Sequence, residues 1–279
     1  MSLARTILTA WDWEPSILIG CSGLAIGYAA LARFRFQRIA GLYYAGLAVM
    51  FLALVSPLDT LADNYLFSMH MFQHLLLSEV VPPLLLLGIP LRWWRLALSR
   101  QPLAAAERVL RRPSVAWLCG IAALWVWHWP RLFEATLNDE GLHAFQHLCF
   151  MVTGTIFWYP VVTPVPGHRI GTFPAVSYLF TACTFSSLLG IVITFCSYQI
   201  YPFYLSPADE LGILPQLRGL LTAHEDQQLG GLLMWFPCCL IYASAILITL
   251  GSWYGQTSDE DGLPSSNAKA APSVANQPS

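Results

Sequence analysis

Seven long apolar stretches dictate what this chain can fold into. They run approximately Ser16–Ala32, Ile39–Ser56, Tyr65–Gly88, Ser114–Pro130, Leu142–Val162, Ala175–Ser197 and Leu229–Leu250. A bilayer's hydrocarbon core is about 30 Å thick, and a helix needs roughly 17–25 apolar residues to cross it. Each block reaches that length. Each is also continuously apolar, whereas a membrane-barrel strand alternates over about ten residues. Residues are 56% hydrophobic and only 11% charged, outside the range of an ordinary soluble domain. The expected fold is an all-α, polytopic membrane helical bundle with seven transmembrane helices.

Basic residues orient such a bundle, because Lys and Arg are retained on the cytoplasmic side. The loops after the first, third and fifth blocks, with the tail, hold eleven: Arg33, Arg35, Arg38, Arg92, Arg95, Arg100, Arg108, Arg111, Arg112, Arg169 and Lys269. Only Arg5, Arg131 and Arg218 fall on the other side. The N-terminus is therefore expected outside and the C-terminus inside. Acid gathers on the outer side, including Asp12, Glu14, Asp59, Asp63, Asp139, Glu140, Glu225 and Asp226. With a net charge of −2 and no basic face, nothing favours a nucleic-acid partner.

The segment before the first block carries Asp12 and Glu14 rather than a basic start, so "YAALA" at 28–32 reads as part of a retained span and not a cleavage site. Residues 1–254 form the expected seven-helix domain, and 255–279, rich in Pro, Ser and Ala, the expected disordered cytoplasmic tail. The seven cysteines show no C-x-x-C spacing and read as small buried hydrophobes.

Chemistry enters with a repeated motif. "HMFQHL" spans 70–75 and "HAFQHL" spans 143–148. Histidines four apart share one helix face and can share a ligand. In the expected topology His70, His74, His143 and His147 sit in the first turns of two parallel helices, near the outer face. His128 in "WHWP" and His224 in "TAHEDQQ" fall in the same layer, and only His168 lies elsewhere. Either a parallel internal repeat or local convergence on a shared site accounts for the two motifs.

Imidazole suits copper, zinc, iron and nickel, and thioether sulfur favours cuprous copper. Met71 beside His70 and Met151 one turn beyond His147 are candidate accessory ligands. Gln73, Gln146 and Asp226 are candidates to hold imidazole tautomers by accepting the distal N–H. A zinc hydrolase is unsupported, because H-E-x-x-H needs Glu where Met71 and Ala144 stand. Bis-imidazole haem ligation, as in an integral electron carrier, is one alternative, and interhelical hydrogen bonding without metal is another. Glu79, five residues after His74, lies off the histidine face and reads as structural; Pro82 and Pro83 should bend its helix.

The runs "MHMFQHLLLSEVVPPLLLLGIP", "WHWP", "HAFQHLCFMVTGTIFWYPV" and "EDQQLGGLLMW" resemble the polytopic CtaG-type cytochrome c oxidase assembly factors, over about residues 15–255. The resemblance implies a non-enzymatic, multi-pass protein of the plasma (inner) membrane that helps mature a haem–copper oxidase, with copper as the expected cargo. Its partners would be cytochrome c oxidase subunits, a copper donor protein and membrane lipid. The family pattern falls on His70, Gln73, His74, His143, His147, Asp226, Gln227, Gly230 and Gly231, and less closely on His128 and His224.

Overall fold

The computed structural model describes residues 3–32 and 39–261. Arg33, Arg35, Arg38, Lys269 and the tail beyond 261 lie outside the described residues. The described chain is built from helices and contains no strand: α1 (Leu3–Thr9), α2 (Pro15–Leu31), α3 (Ala40–Val55), α4 (Pro57–Asn64), α5 (Phe67–Leu75), α6 (Val81–Gly88), α7 (Leu91–Leu98), α8 (Gln101–Leu110), α9 (Pro113–Trp127), α10 (Pro130–Leu137), α11 (Glu140–Val162), α12 (Thr172–Phe195), α13 (Leu214–Leu220) and α14 (Ala223–Asp261).

Among the described residues, three helical runs are long and apolar enough to cross a membrane: Phe67–Gly88, Thr172–Phe195 and Ala223–Gly255. The number rises to five if each of two bent pairs counts as one span, α3 with α4 at 47° and α8 with α9 at 74°. The two remaining expected spans correspond to α2, of 17 residues, and to α11, of 23 residues, whose first turns carry Glu140, His143, Gln146 and His147. Boundaries also shift. The second block breaks at Ser56, whose side chain caps α4 through Leu58 N at 3.3 Å, with Pro57 at the first helical position. The last block continues as helix through Asp261, seven residues into the expected tail.

The surface agrees with a lipid setting. Ile19, Leu118, Phe180, Phe195 and Leu247 are between 60% and 76% exposed, a spread of large apolar groups that a water-facing monomer rarely carries.

Small residues set the close helix crossings, as expected where apolar lipid provides no hydrophobic drive between helices. A Cβ on Gly190 would strike the carbonyl of Gly231, and one on Gly231 would strike Thr194, so α12 and α14 cross there at backbone distance. The third span holds a π turn, Leu76–Val80, between α5 and α6. Pro82 has no N–H for the carbonyl four residues earlier, that of Ser78. A Cβ on Gly154 of α11 would meet this carbonyl oxygen, so glycine lets α11 lie against the loosened turn. The expected bend is thus taken up as a π turn just before the prolines. This contact sets α11 against the π turn and the start of α6, two turns beyond His147.

Glu79, in the π turn, accepts from Trp158 Nε1 at 3.1 Å, consistent with a structural role. His168 stands apart from the other histidines, its Nδ1 2.6 Å from Glu107, which also accepts from Tyr159 Oη at 3.0 Å.

Candidate metal centre

Two helix starts build the site, and each is fixed by a carboxylate. Asp226 at the head of α14 accepts from Phe67 N at 2.8 Å and Ser68 N at 3.1 Å, capping α5 from another helix. Asp139 caps α11 by accepting from Leu142 N at 2.8 Å. These caps satisfy N–H groups that have no partner within the helix, and they set the first turns from which His70, His74, His143 and His147 project.

One ligand atom from each of these four imidazoles lies within 4.8 Å of the others. Ring centroids are 4.2 Å apart for His70 and His74, 4.3 Å for His143 and His147, and 5.1 Å for His70 and His143. His70, His74 and His147 are buried. His128, at the end of α9, is also buried, with its ring 5.6 Å from that of His74. Phe133 and Phe150 wall the group, 5.1 Å from His70 and 4.6 Å from His74 respectively.

The outward-facing nitrogens have polar neighbours. Asp63 stands by two of them, with Oδ2 3.4 Å from His143 Nδ1 and Oδ1 at a longer 3.8 Å from His70 Nδ1. Tyr204, in the loop before α13, donates to Ala62 O at 2.9 Å, leaving its oxygen to accept from His70 Nδ1 at 3.1 Å. Burial pushes the Tyr204 phenol well above its ordinary value, so this hydroxyl stays protonated and its donor role is fixed. His128 Nδ1 donates to Leu124 O at 2.7 Å. An imidazole that donates through Nδ1 presents an unprotonated Nε2.

The inward-facing nitrogens have no partner. Nε2 of His70, His128, His143 and His147, and both nitrogens of His74, are buried without a hydrogen-bond partner. Buried polar atoms are paired in the great majority of cases, and an orphan costs about 1–3 kcal/mol. Six at one place form a donor set that a borderline metal ion would satisfy, with carboxylate, phenol and carbonyl partners on the far side of the rings.

Several expected members lie elsewhere. His224 is exposed, with Nε2 3.4 Å from Gln228 Nε2, and does not join the cluster. Asp226 serves the α5 backbone instead of an imidazole. Gln73 turns toward α3 and α4, donating to Asp59 Oδ1 at 2.6 Å and Ala53 O at 2.9 Å. Gln146 is buried with neither amide atom partnered. Met71 packs with Phe67, Phe133 and Met234 in an apolar cluster, and Met151 packs against the buried cluster that contains Met50.

Asp63 and Tyr204 join the site without belonging to either histidine motif. A signal existed for the first, since Asp59 and Asp63 stand four apart in "PLDTLADN", with Asp63 about two turns' length ahead of the motif. Tyr204 carries no local sign. A third device was readable: Thr222 and Glu225 form a capping box at the start of α14, with Thr222 N donating to Glu225 Oε2 at 2.8 Å and Glu225 N donating to Thr222 Oγ1 at 3.2 Å.

Fold and site together define, over the described residues, an all-helical protein with several helices long and apolar enough to cross a membrane and a polyhistidine cluster at the starts of α5 and α11. Residues 27–256 match the cytochrome c oxidase caa3 assembly factor family (Caa3_CtaG), and the chain belongs to that family. It is 28% identical over 281 residues to the uncharacterized protein Mb0105 of Mycobacterium bovis, covering 91% of this chain and 41% of that protein. The uncharacterized protein ML1998 of Mycobacterium leprae is 25% identical over 269 residues, covering 88% of this chain and 40% of its own length. The chain thus spans about two fifths of the curated relatives it matches. No solved structure matches it.

Proposed function

We propose that this protein binds copper through His70, His74, His143 and His147, with His128 beside them, and assists its delivery into a haem–copper cytochrome c oxidase without itself catalysing a reaction. It does so as a seven-span protein of the plasma membrane, N-terminus outside and C-terminus inside, with the cluster near the outer face. The carrying observation is the set of six buried, unpartnered ring nitrogens among these five histidines. Family membership supports the oxidase as destination.

The donor chemistry favours a small ion over haem. A porphyrin between His70 and His143 would have to enter a pair of rings stacked 5.1 Å apart, with a second imidazole one turn along each helix. Surplus imidazoles suit exchangeable ligation, which a cargo requires and a closed structural site does not.

The test is metal analysis with a visible spectrum of the purified protein. Copper without a Soret band is expected, and the His70, His74, His143 and His147 quadruple alanine variant should insert into the membrane but hold no copper at this site. Cells making only that variant should contain oxidase polypeptides deficient in copper. Full copper occupancy in the variant refutes the site, and normal oxidase copper at native expression refutes the delivery role.

A further inference from the structure

Beside the histidines lies a cavity of about 930 Å³ whose lining changes chemically with depth. Six carboxylates line it: Asp12, Glu14, Asp139 and Glu140 are exposed and form its mouth, Asp63 is partly buried and Asp59 buried, and among the described residues no Lys or Arg lines it. One wall is His143 and His147. His147 is only 7% exposed and its buried Nε2 has no partner, so this ring stands between the acid-lined space and the histidine cluster, with an unsatisfied nitrogen on the cluster side. Further along the same helices the lining includes Cys21, Met50 and Met151. At 1.5 Å per residue, Cys21 lies about 10 Å beyond Glu14, and Met151 about 16 Å beyond Glu140. Cys21 and Met151 pack against the same buried cluster that contains Met50.

Oxygen at the mouth, nitrogen on the wall and sulfur on the floor form a series of increasing softness. Carboxylates concentrate any cation at an opening. Imidazole holds cupric and cuprous copper alike, while thiolate and thioether select the cuprous ion.

We propose that this cavity is a cation path, and that Cys21, Met50 and Met151 at its floor form a second station for the cuprous ion, reached from the carboxylate mouth past His143 and His147. This rests on the copper reading of the histidine cluster. A soft station deeper in the span would let the ion leave the imidazoles toward a partner within the membrane, without returning through the mouth.

The floor is tested by loading the full chain in detergent with cuprous ion under anaerobic reducing conditions and reading X-ray absorption. Wild type should show both nitrogen and sulfur scatterers. The Cys21→Ser, Met50→Leu, Met151→Leu variant, whose methionine changes nearly conserve volume, should lose the sulfur shell and keep the nitrogen shell. A sulfur shell unchanged in the variant, or absent from wild type, overturns the station. Copper bound through nitrogen alone would sink this inference and leave the histidine site standing; no copper in wild type would sink both.

The mouth is tested by the rate of uptake. The Asp12→Asn, Glu14→Gln, Asp139→Asn, Glu140→Gln variant should load about tenfold more slowly at low ionic strength, with the difference disappearing in high salt. Asparagine also caps helices well, so α11 should start normally. Equal rates at low salt overturn the path.

Discussion

Replacing Asp226 by alanine removes a group that touches no imidazole, yet it should strip one ligand from the cluster. The Asp226 side chain is buried and accepts two backbone N–H bonds, from Phe67 at 2.8 Å and Ser68 at 3.1 Å. Hydrogen bonds to a charged group contribute about 1.5–3 kcal/mol each, and loss of a helix cap typically costs about 0.5–2 kcal/mol. The two bonds share one carboxylate and are not additive, so the expected destabilisation is about 2–4 kcal/mol, with the orphaned N–H groups far from water. Asp226→Asn, which keeps one acceptor oxygen, should cost about half as much.

The consequence is local to the first turn of α5. His70 N bonds to Leu66 O at 3.2 Å, within the turn that Asp226 caps, whereas His74 sits one turn deeper. Fraying should free His70 and leave His74 in place. Copper affinity in Asp226→Ala should therefore fall about as far as in His70→Ala, and the double variant should fall little further. A double-mutant cycle on copper affinity, beside denaturant melts in detergent, measures both effects. Unchanged stability, or fully additive losses of affinity, would refute the capping argument.

Asp63→Asn should leave the fold intact and weaken copper binding about 10–100-fold, the usual cost of losing a carboxylate that orients ligating imidazoles; an equal affinity by competition titration would show that the bridge to His70 and His143 is idle. His224→Ala should leave copper stoichiometry unchanged, because this exposed ring is outside the cluster; a lost ion would restore it as a ligand. Gly154→Ala should destabilise by about 1–3 kcal/mol through overpacking against the Ser78 carbonyl. It should also lower copper affinity from two turns away, so a variant with wild-type melting and loading would contradict the crossing.

The all-helical fold with several long apolar helices, and the gathering of the four central histidines, were legible because both signals are local: an apolar run declares itself within its own length, and an i,i+4 pair needs only one helix. What surrounds the rings was not. Asp63 lies 80 residues from His143, and Asp226 lies 159 from Phe67, contacts that only helix packing creates. Gln73 was misassigned through geometry that the sequence does contain. At 100° per residue it projects 100° from His74 and 60° from His70, on the side that meets α3 and α4.

The repeated motif is resolved by the same comparison. Were "HMFQHL" and "HAFQHL" copies of one structural unit, equivalent positions should meet equivalent surroundings. The histidines do, since His70 and His143 both approach Asp63 and His74 and His147 both turn an unpartnered Nε2 into the cluster. The other positions diverge: Gln73 fastens α5 to two neighbours while Gln146 has no partner, Leu75 is 7% exposed against 52% for Leu148, and Phe145 is 54% exposed while Phe72 packs against the core. The likeness therefore ends at the face that points into the cluster. A shared ligand would constrain that face alone, and lipid on one helix and protein on the other would dictate the rest, which makes the two motifs evidence for a common cargo even where their helices have nothing else in common.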